Sequence, residues 1–405
     1  MSIYTVLRHV PIENIIGFYT DLKITHGTYI LVVSPFSDSG NNSMNHMRIN
    51  RKKNTWFDYA ISEGGDAVEF VSKLFNLSNY AAAQKILKDQ PDILKGIKIN
   101  EKLPKFVDDT KRESLELHLA YKVFLTICKL SKQDYLVLRK ERHLSDSEIK
   151  FYNLFTMPYP NKANRTKLVR QLNKFELTKE IFHYVPGFYE LNGELHWKFI
   201  SGIGIPSIDY NHHITGIQIR LRNPKKDMPR YLWFSSSSVR NENSKYGHGS
   251  GTPISIVRYC NPEKNVYVEP STSKFVITEG FFKAIQYSKL EHCHVAALAG
   301  VGNFNGIDKA IKTMVSNNEF PSKQPEIVIG YDADSLINPQ VLQQEYRLYD
   351  YISKLGYPVK VLYWDVKEGK GFDDLVFAHP RDFAKYLHLV DWNEFQKMTN
   401  KMLKK

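Results

Sequence analysis

Phe275-Val276-Ile277-Thr278-Glu279-Gly280 opens the stretch whose reading decides the fold. Four β-branched or aromatic residues in a row predict a short buried strand, with Glu279-Gly280 directly at its end. Residues 281–290 then carry the apolar spacing of a helix. A second apolar run at 295–298 ends in Ala299-Gly300-Val301-Gly302, and a third, Ile327-Val328-Ile329-Gly330, delivers Tyr331-Asp332-Ala333-Asp334. The order over 274–335 is strand, helix, strand, helix, strand, with carboxylates at the tips of the first and third strands. Ligands of open α/β sheets bind beyond the carboxyl ends of the strands, so Glu279, Asp332 and Asp334 are expected to converge on one site. Carboxylates that close repel one another unless a cation joins them, and all-oxygen ligands suit Mg²⁺ or Mn²⁺.

Each motif alone has other readings. A glutamate after a strand also serves as a favourable charge in the first turn of a helix. An Asp-x-Asp after a strand also occurs in sugar-nucleotide transferases and in phosphatases with an aspartyl nucleophile. Order and spacing carry more weight. On Glu279-Gly280 and the Asp332/Asp334 pair, residues 274–335 resemble a TOPRIM domain, the metal-binding α/β module of DnaG-type primases, topoisomerases and some nucleases. Lys370-Gly371-Phe372-Asp373-Asp374-Leu375 resembles the acidic motif that follows this core in primases. Asp373 best matches the last acidic residue of the metal site, and Asp374 is the alternative. One position departs from the pattern. Many DnaG-type primases carry an aspartate four residues after the glutamate, where Lys283 stands here; some plasmid and phage relatives also have a basic residue there.

The N-terminal part is read in the same way. A helix is expected over 4–23, followed by strands at 29–33, 47–50 and 55–59 and by helices after Gly64-Gly65-Asp66 and over 80–87. Ser34-Pro35-Phe36-Ser37, Trp56-Phe57-Asp58 and Gly64-Gly65-Asp66-Ala67-Val68-Glu69-Phe70 make this layout similar to the zinc ribbon of DnaG-type primases. Its ligand positions align with Ser34, Ser37, Asp58 and Ile61, whereas tetrahedral zinc wants thiolate and imidazole donors. The expectation is a ribbon held by its apolar core, with no zinc and with His46 on the surface. In the family such a ribbon helps to choose template and to hold the initiating nucleotides. Arg48, Arg51, Lys52, Lys53, Trp56 and Phe57 are the candidates for that role, because cations meet phosphates and ring faces stack on bases. A solvated hairpin turn with Trp56 in the core is the competing reading.

The resemblance implies a mixed α/β (α+β) chain with a zinc-ribbon-like domain over 1–92 and a basic linker over 93–113. The N-terminal part of a DnaG-type primase core follows over 114–268, and a TOPRIM domain with a Rossmann-like sheet covers 269–380. A C-terminal helix and basic tail occupy 381–405. Helical periodicity at 115–130 and Arg142-His143-Leu144-Ser145 match the entry to that core, and Ser145 with Glu148 forms a capping-box start. His143 stands where glycine is usual, so a left-handed backbone there carries a cost. Strands at 204–209, 214–222 and 229–235 resemble the half of the core whose basic strand ends grip template or nucleotide phosphates. By position these are Arg222 and Arg230, then Arg220 and Lys245, with Lys283 from the TOPRIM helix. The glycine-rich 245–253 segment is either a nucleotide-contacting loop or a connection, and His212-His213 reads as a turn.

Composition fits. Among 405 residues, 55 Lys+Arg against 43 Asp+Glu leave +12, an electrostatic argument for a polyanionic partner. Three scattered cysteines, Cys128, Cys260 and Cys293, argue against a disulfide framework or a cysteine-rich zinc site. No apolar run has membrane-spanning length, and no signal peptide is seen, so a soluble cytoplasmic protein of the nucleoid or replication fork is expected.

The expected function is that of a DNA-dependent RNA primase of a mobile element, phage or plasmid. It would use single-stranded DNA template and ribonucleoside triphosphates, and a separate helicase or polymerase as partner, since nothing after Arg381 is long enough for a helicase-docking domain. Glu279, Asp332, Asp334 and Asp373 would be both catalytic and metal-holding. A TOPRIM nuclease, or a non-catalytic single-stranded DNA-binding replication protein, is the alternative.

Overall fold

The computed structural model describes residues 10–26, 29–36, 47–58, 63–77, 79–94, 112–224, 229–239 and 243–403, together with Leu7 and Ile61. The chain divides into two compact units, Met1–Asp108 and Asp109–Lys405.

In the first unit, α1 (Ile12–Tyr19) leads to a five-stranded antiparallel sheet. Its strands are β1 (Leu22–His26), β2 (Tyr29–Val32), β3 (Met47–Asn50), β4 (Thr55–Asp58) and β5 (Glu63–Gly65), in sequence order. Helices α2 (Ala67–Phe75) and α3 (Asn79–Asp89) close the unit. The helix expected over 4–23 is corrected: it ends at Tyr19, because Thr20 is extended and the β-branched Ile24-Thr25 pair joins the sheet as β1. The start of that expected helix lies outside the described residues, apart from Leu7. Strand alternation buries Ile30, Val32, Met47, Ile49, Trp56 and Asp58 on one face. Asp66 caps α2 by accepting from the Val68 and Glu69 amides, while Glu69 reaches back to the Asp66 N–H.

The second unit begins with α4 (Ser114–Leu125), α5 (Lys132–Lys140) and α6 (Asp146–Phe151), the last entered through the expected Ser145/Glu148 capping box. The helix read over 115–130 stops at Leu125, and Lys129 instead forms a bridge to Thr156 in β6 (Phe155–Thr156). His143, at φ 53°, does adopt the left-handed backbone, and its ring packs 4.2 Å from Phe377. After α7 (Lys162–Lys174), β7 (Phe188–Leu191) and β8 (Glu194–Trp197) form a small sheet. β9 (Gly202–Ile208), β10 (Ile214–Leu221) and β11 (Tyr231–Trp233) build another with β6. β12 (Ser244–Lys245) edges the β7/β8 sheet, β13 (Ser255–Val257) joins the main sheet, and β14 (Cys260–Asn261) with β15 (Val266–Tyr267) is a short hairpin.

The remaining elements are β16 (Lys274–Glu279), α8 (Phe281–Glu291), β17 (His294–Leu298), α9 (Ile307–Ser316) and β18 (Glu326–Ile329). They continue with α10 (Pro339–Ile352), β19 (Val359–Tyr363), α11 (Phe372–Ala378), β20 (His388–Asp391) and α12 (Trp392–Leu403). The sheet order is β13-β17-β16-β18-β19-β20, parallel in its four central strands and antiparallel at both edges. Both faces are covered. Val276, Val295 and Val328 pack with Ile285 and Tyr287 of α8 on one side; Phe275, Ile277 and Ile327 pack with Ile311 of α9 and Leu348 of α10 on the other. Burial on both faces explains why these strands read as continuous apolar runs. The edge strand β20 was not expected; its short, largely exposed His388–Asp391 run lacks that signature. From β16 the chain moves to β17 on one side, then crosses back to β18 on the other. The sheet therefore has its topological switch between β16 and β18, the place where α/β sheets open a ligand crevice.

Candidate carboxylate centre

Glu279 ends β16, and the next residue turns the chain into α8 at a φ of 88°, a conformation that costs a side-chain-bearing residue and suits Gly280. Asp332 follows β18 on the adjacent strand, so the two carboxylates flank the switch point. Gly330 leaves room beside β18 for the Tyr287 ring, whose hydroxyl would stand 3.0 Å from any added Cβ. Tyr287 in turn stacks on Phe372 at 3.6 Å, which seats the start of α11 against α8. The Ala333 N–H donates to the Lys370 carbonyl at 2.9 Å, tying the Asp332-Ala333-Asp334 turn to the loop that delivers Asp373. Asp332 and Asp373 are both buried.

Three basic side chains reach into this cluster. Lys283 Nζ lies 2.5 Å from Asp332 Oδ1, Lys370 Nζ 2.7 Å from Asp334 Oδ2, and Arg142 Nη1 3.2 Å from Asp373 Oδ2. The Arg142 guanidinium also sits 5.3 Å over the Phe282 ring. Burial pushes the Asp332 carboxyl up to about 6; Lys283 opposes the rise, and Glu279 and Asp334 add to it. Burial also raises Asp373, helped by Asp374 and opposed by Lys283 and Arg142. These interactions place all four carboxylates and the three basic side chains in one electrostatic neighbourhood. They do not place them in contact: among the described residues, no three of these carboxylates bring an oxygen each to within 4.8 Å of one another. The group that does is elsewhere, Glu180 with His183 and Glu190, where His183 Nε2 already meets Glu190 Oε1 at 2.6 Å and Lys179 approaches at 3.2 Å.

A hard divalent ion fits the donor set. Mg²⁺ is commonly held by one or two carboxylates with several waters, so a tight cage is not required. Glu279 has no side-chain hydrogen bond or ion pair among the described residues, and the ion-pair partner of Asp334 is Lys370, whose side chain is 62% exposed. Glu279 and Asp334 are thus the accessible donors, while Asp332 and Asp373 are engaged by less exposed bases.

Beneath the Asp332 turn lies Glu345 of α10, fully buried, bonded to Ser335 and with its Oε2 unpartnered. Burial pushes its carboxyl up to about 8. Arg142, Lys370 and Glu345 were not among the residues expected at this site. Arg142 belongs to the quoted Arg142-His143-Leu144-Ser145 run and Lys370 opens the acidic motif, so both carried a signal; Glu345 on the face of an amphipathic helix carried none.

The other expected contacts divide. Arg222 is not a free phosphate ligand, because it donates to the buried Asp134 at 2.8 Å, and Arg220 reaches Glu141 at 3.0 Å. Together with Gln133 and Asn223 they line a cavity of about 180 Å³ with mixed charge, where basic strand ends gripping phosphates were expected. Arg230 is exposed, with no side-chain partner among the described residues. Lys245 is exposed on β12, in the β7/β8 sheet and not in the parallel one. Lys283 is held in its ion pair with Asp332. The glycine-rich segment after Lys245 is fastened where Ser236 Oγ accepts from the His248 N–H at 2.9 Å.

In the first unit, Trp56 is corrected from a nucleic-acid contact to a core residue. It is 3% exposed, its indole N–H donates to the Asp66 carbonyl at 3.0 Å, and Phe36 and Phe70 surround it. Arg48 and Phe57 face each other across β3 and β4 on the exposed face. Lys52 and Lys53 are exposed in the turn, and Arg51 meets Glu13 at 3.2 Å. At the aligned zinc positions the Ser34 hydroxyl donates to the fully buried Asp58, and Ile61 offers no donor; Ser37 and His46 lie outside the described residues. A hydroxyl and a carboxylate satisfying each other, beside an isoleucine, do not fit a tetrahedral zinc site.

Comparison with known proteins places residues 265–383 in a match to the family model described as a domain of unknown function, DUF3854. No curated protein sequence matches the chain. Among solved structures the chain is similar to the Aquifex aeolicus primase, zinc-binding and RNA polymerase domains, at 17% identity over 100% of this chain and 90% of that one, with a TM-score of 0.48. The RNA polymerase domain of Mycobacterium tuberculosis primase DnaG is 13% identical over 70% of this chain and 85% of that one, also at 0.48. A DNA primase domain from Pseudomonas aeruginosa is 15% identical over 69% and 82%, at 0.44.

Proposed function

We propose that this chain is a metal-dependent nucleotidyltransferase of the DnaG primase type, with a TOPRIM domain, that makes short RNA primers on single-stranded DNA for a mobile element, phage or plasmid. One observation carries the reading: the Ala333–Lys370 backbone bond joins two acidic loops at the switch point of a parallel sheet, beside Glu279. Mg²⁺ or Mn²⁺, when bound, would supply charge neutralisation for the triphosphate and lower the proton affinity of the attacking hydroxyl. Glu279 and Asp334 are the residues open to such an ion, and Asp332 and Asp373 hold negative charge around it. Arg230, Lys52 and Lys53 are exposed cations suited to template or nucleotide phosphates.

The test incubates the protein with single-stranded DNA, labelled ribonucleoside triphosphates and Mg²⁺ or Mn²⁺, beside the Asp332→Ala/Asp334→Ala double variant. Short RNA made by the wild type and lost in the variant supports priming. Template cleavage lost in the variant supports a TOPRIM nuclease instead. A second reading, a binder of single-stranded DNA without chemistry, is favoured by the pairing of three of the four carboxylates with bases. Binding with neither synthesis nor cleavage would establish it.

A further inference from the structure

We infer that Lys283 is a resident cation of the carboxylate cluster: its ammonium pairs with Asp332 and its stem borders the Gly371 backbone beside Asp373, so the cluster takes one divalent ion, on Glu279 and Asp334, and not two. This rests on the metal-dependent reading above.

The geometry is specific. Lys283 projects from the first turn of α8, one turn after Glu279, with its side chain 18% exposed. Its Nζ closes on Asp332 at 2.5 Å. Its stem runs past Gly371, where an added Cβ would stand 3.4 Å from Lys283 Cδ and 2.7 Å from Asp373 Oδ1. One glycine backbone thus borders both the lysine stem and the second buried carboxylate. Gly280 leaves open the other side, where an added Cβ would lie 3.7 Å from Lys283 Cε. A lysine is a compact point charge on a flexible stem, and burial beside a carboxylate holds it in one place.

Charge accounting points the same way. Glu279, Asp332, Asp334, Asp373 and, behind them, Asp374 (whose carboxylate accepts from the Gly371 N–H at 3.0 Å) face Lys283, Lys370 and Arg142. With every carboxylate ionised, five against three bases leave two negative charges, the charge of one divalent ion. Lys370 is the base placed to move, being 62% exposed, whereas Lys283 is enclosed.

The test counts ions directly. The metal-free 405-residue chain is titrated with Mn²⁺ near neutral pH, and free Mn²⁺ is read by electron paramagnetic resonance. The wild type is expected to bind one equivalent. Lys283→Ala and Lys283→Met, the latter keeping the stem, bind a second equivalent or bind the first about tenfold more tightly, the scale of one partly screened charge pair. Lys283→Arg behaves as wild type. Asp332→Asn still binds one equivalent, and Asp334→Asn binds none. Two equivalents in the wild type, or no change in either neutral variant whose thermal transition is preserved, overturns the inference.

The outcomes separate it from the primase reading. Two ions with RNA synthesis intact sink the resident cation alone; one ion with no RNA synthesis sinks the primase reading alone; no ion in the wild type sinks both.

Discussion

The two units meet a similar problem, acidic or polar side chains gathered at positions that the resemblance aligns with metal ligands, and answer it differently. In the first unit the aligned ligand positions satisfy each other, Ser34 with the buried Asp58, and no thiolate or imidazole stands among the aligned residues. In the second, the carboxylates are kept and bases are brought to them. A hydrogen-bonded pair is a closed account in which neither partner seeks a further ligand. A carboxylate matched by an exposed lysine, as Asp334 is by Lys370, is different, because that pair can open when a better cation or a competing anion arrives. The lesson is that loss of metal chemistry is read from what the donors touch, not from how many remain.

The difference can be broken experimentally. Glu279→Gln should lower RNA synthesis by on the order of 10²–10³, the cost of removing one preorganised charge from such a centre, with Mn²⁺ affinity falling alongside. Full activity in that variant would place the accessible donor elsewhere. Asp58→Ala, which strands a buried hydroxyl and leaves a small void, should destabilise by about 1–3 kcal/mol, read as a lowered denaturant midpoint. A zinc chelator should leave that midpoint unmoved in the wild type, and any shift would show a metal held in the first unit.

Glu345 sharpens the comparison from the side of pH. Its folded carboxyl lies at about 8, above the ordinary 4.5, so it favours the folded state fully below about 4.5. That contribution is lost as pH rises to about 8, with a slope of up to ~1.4 kcal/mol per pH unit. Glu345→Gln should flatten this slope when unfolding is followed across the window. The smallest effect belongs to Lys53→Ala: if that exposed turn meets template, the logarithmic salt slope of single-stranded DNA binding should drop by about 0.7. An unchanged slope would leave the first unit without a phosphate contact at that position.

Much of this was legible in the chain. The β16, β17 and β18 runs announced a sheet buried on both faces, and Glu279, Asp332 and Asp334 fell at its carboxyl edge because strand length and turn residues are local properties. What escaped were partnerships. Asp134 and Arg222 are 88 residues apart, and Arg142 and Asp373 are 231 apart, so no window of sequence could reveal that the expected phosphate-binding arginine and the last carboxylate are already engaged. Trp56 beside a basic turn could be read as a stacking platform or as core, and only the pleat decides that Phe57 faces out and Trp56 in. The helix expected over 4–23 ran too far because apolar spacing continued while the backbone turned extended at Thr20.

The Trp56 indole is joined to the residue that caps α2, so the first unit is fastened by rings and a peptide carbonyl. All three cysteines of the chain lie in the second unit. A ribbon built on thiolates comes apart when peroxide strips its metal; this one offers an oxidant no sulfur nucleophile but methionine, and should hold its shape through conditions that would unfold such a zinc domain.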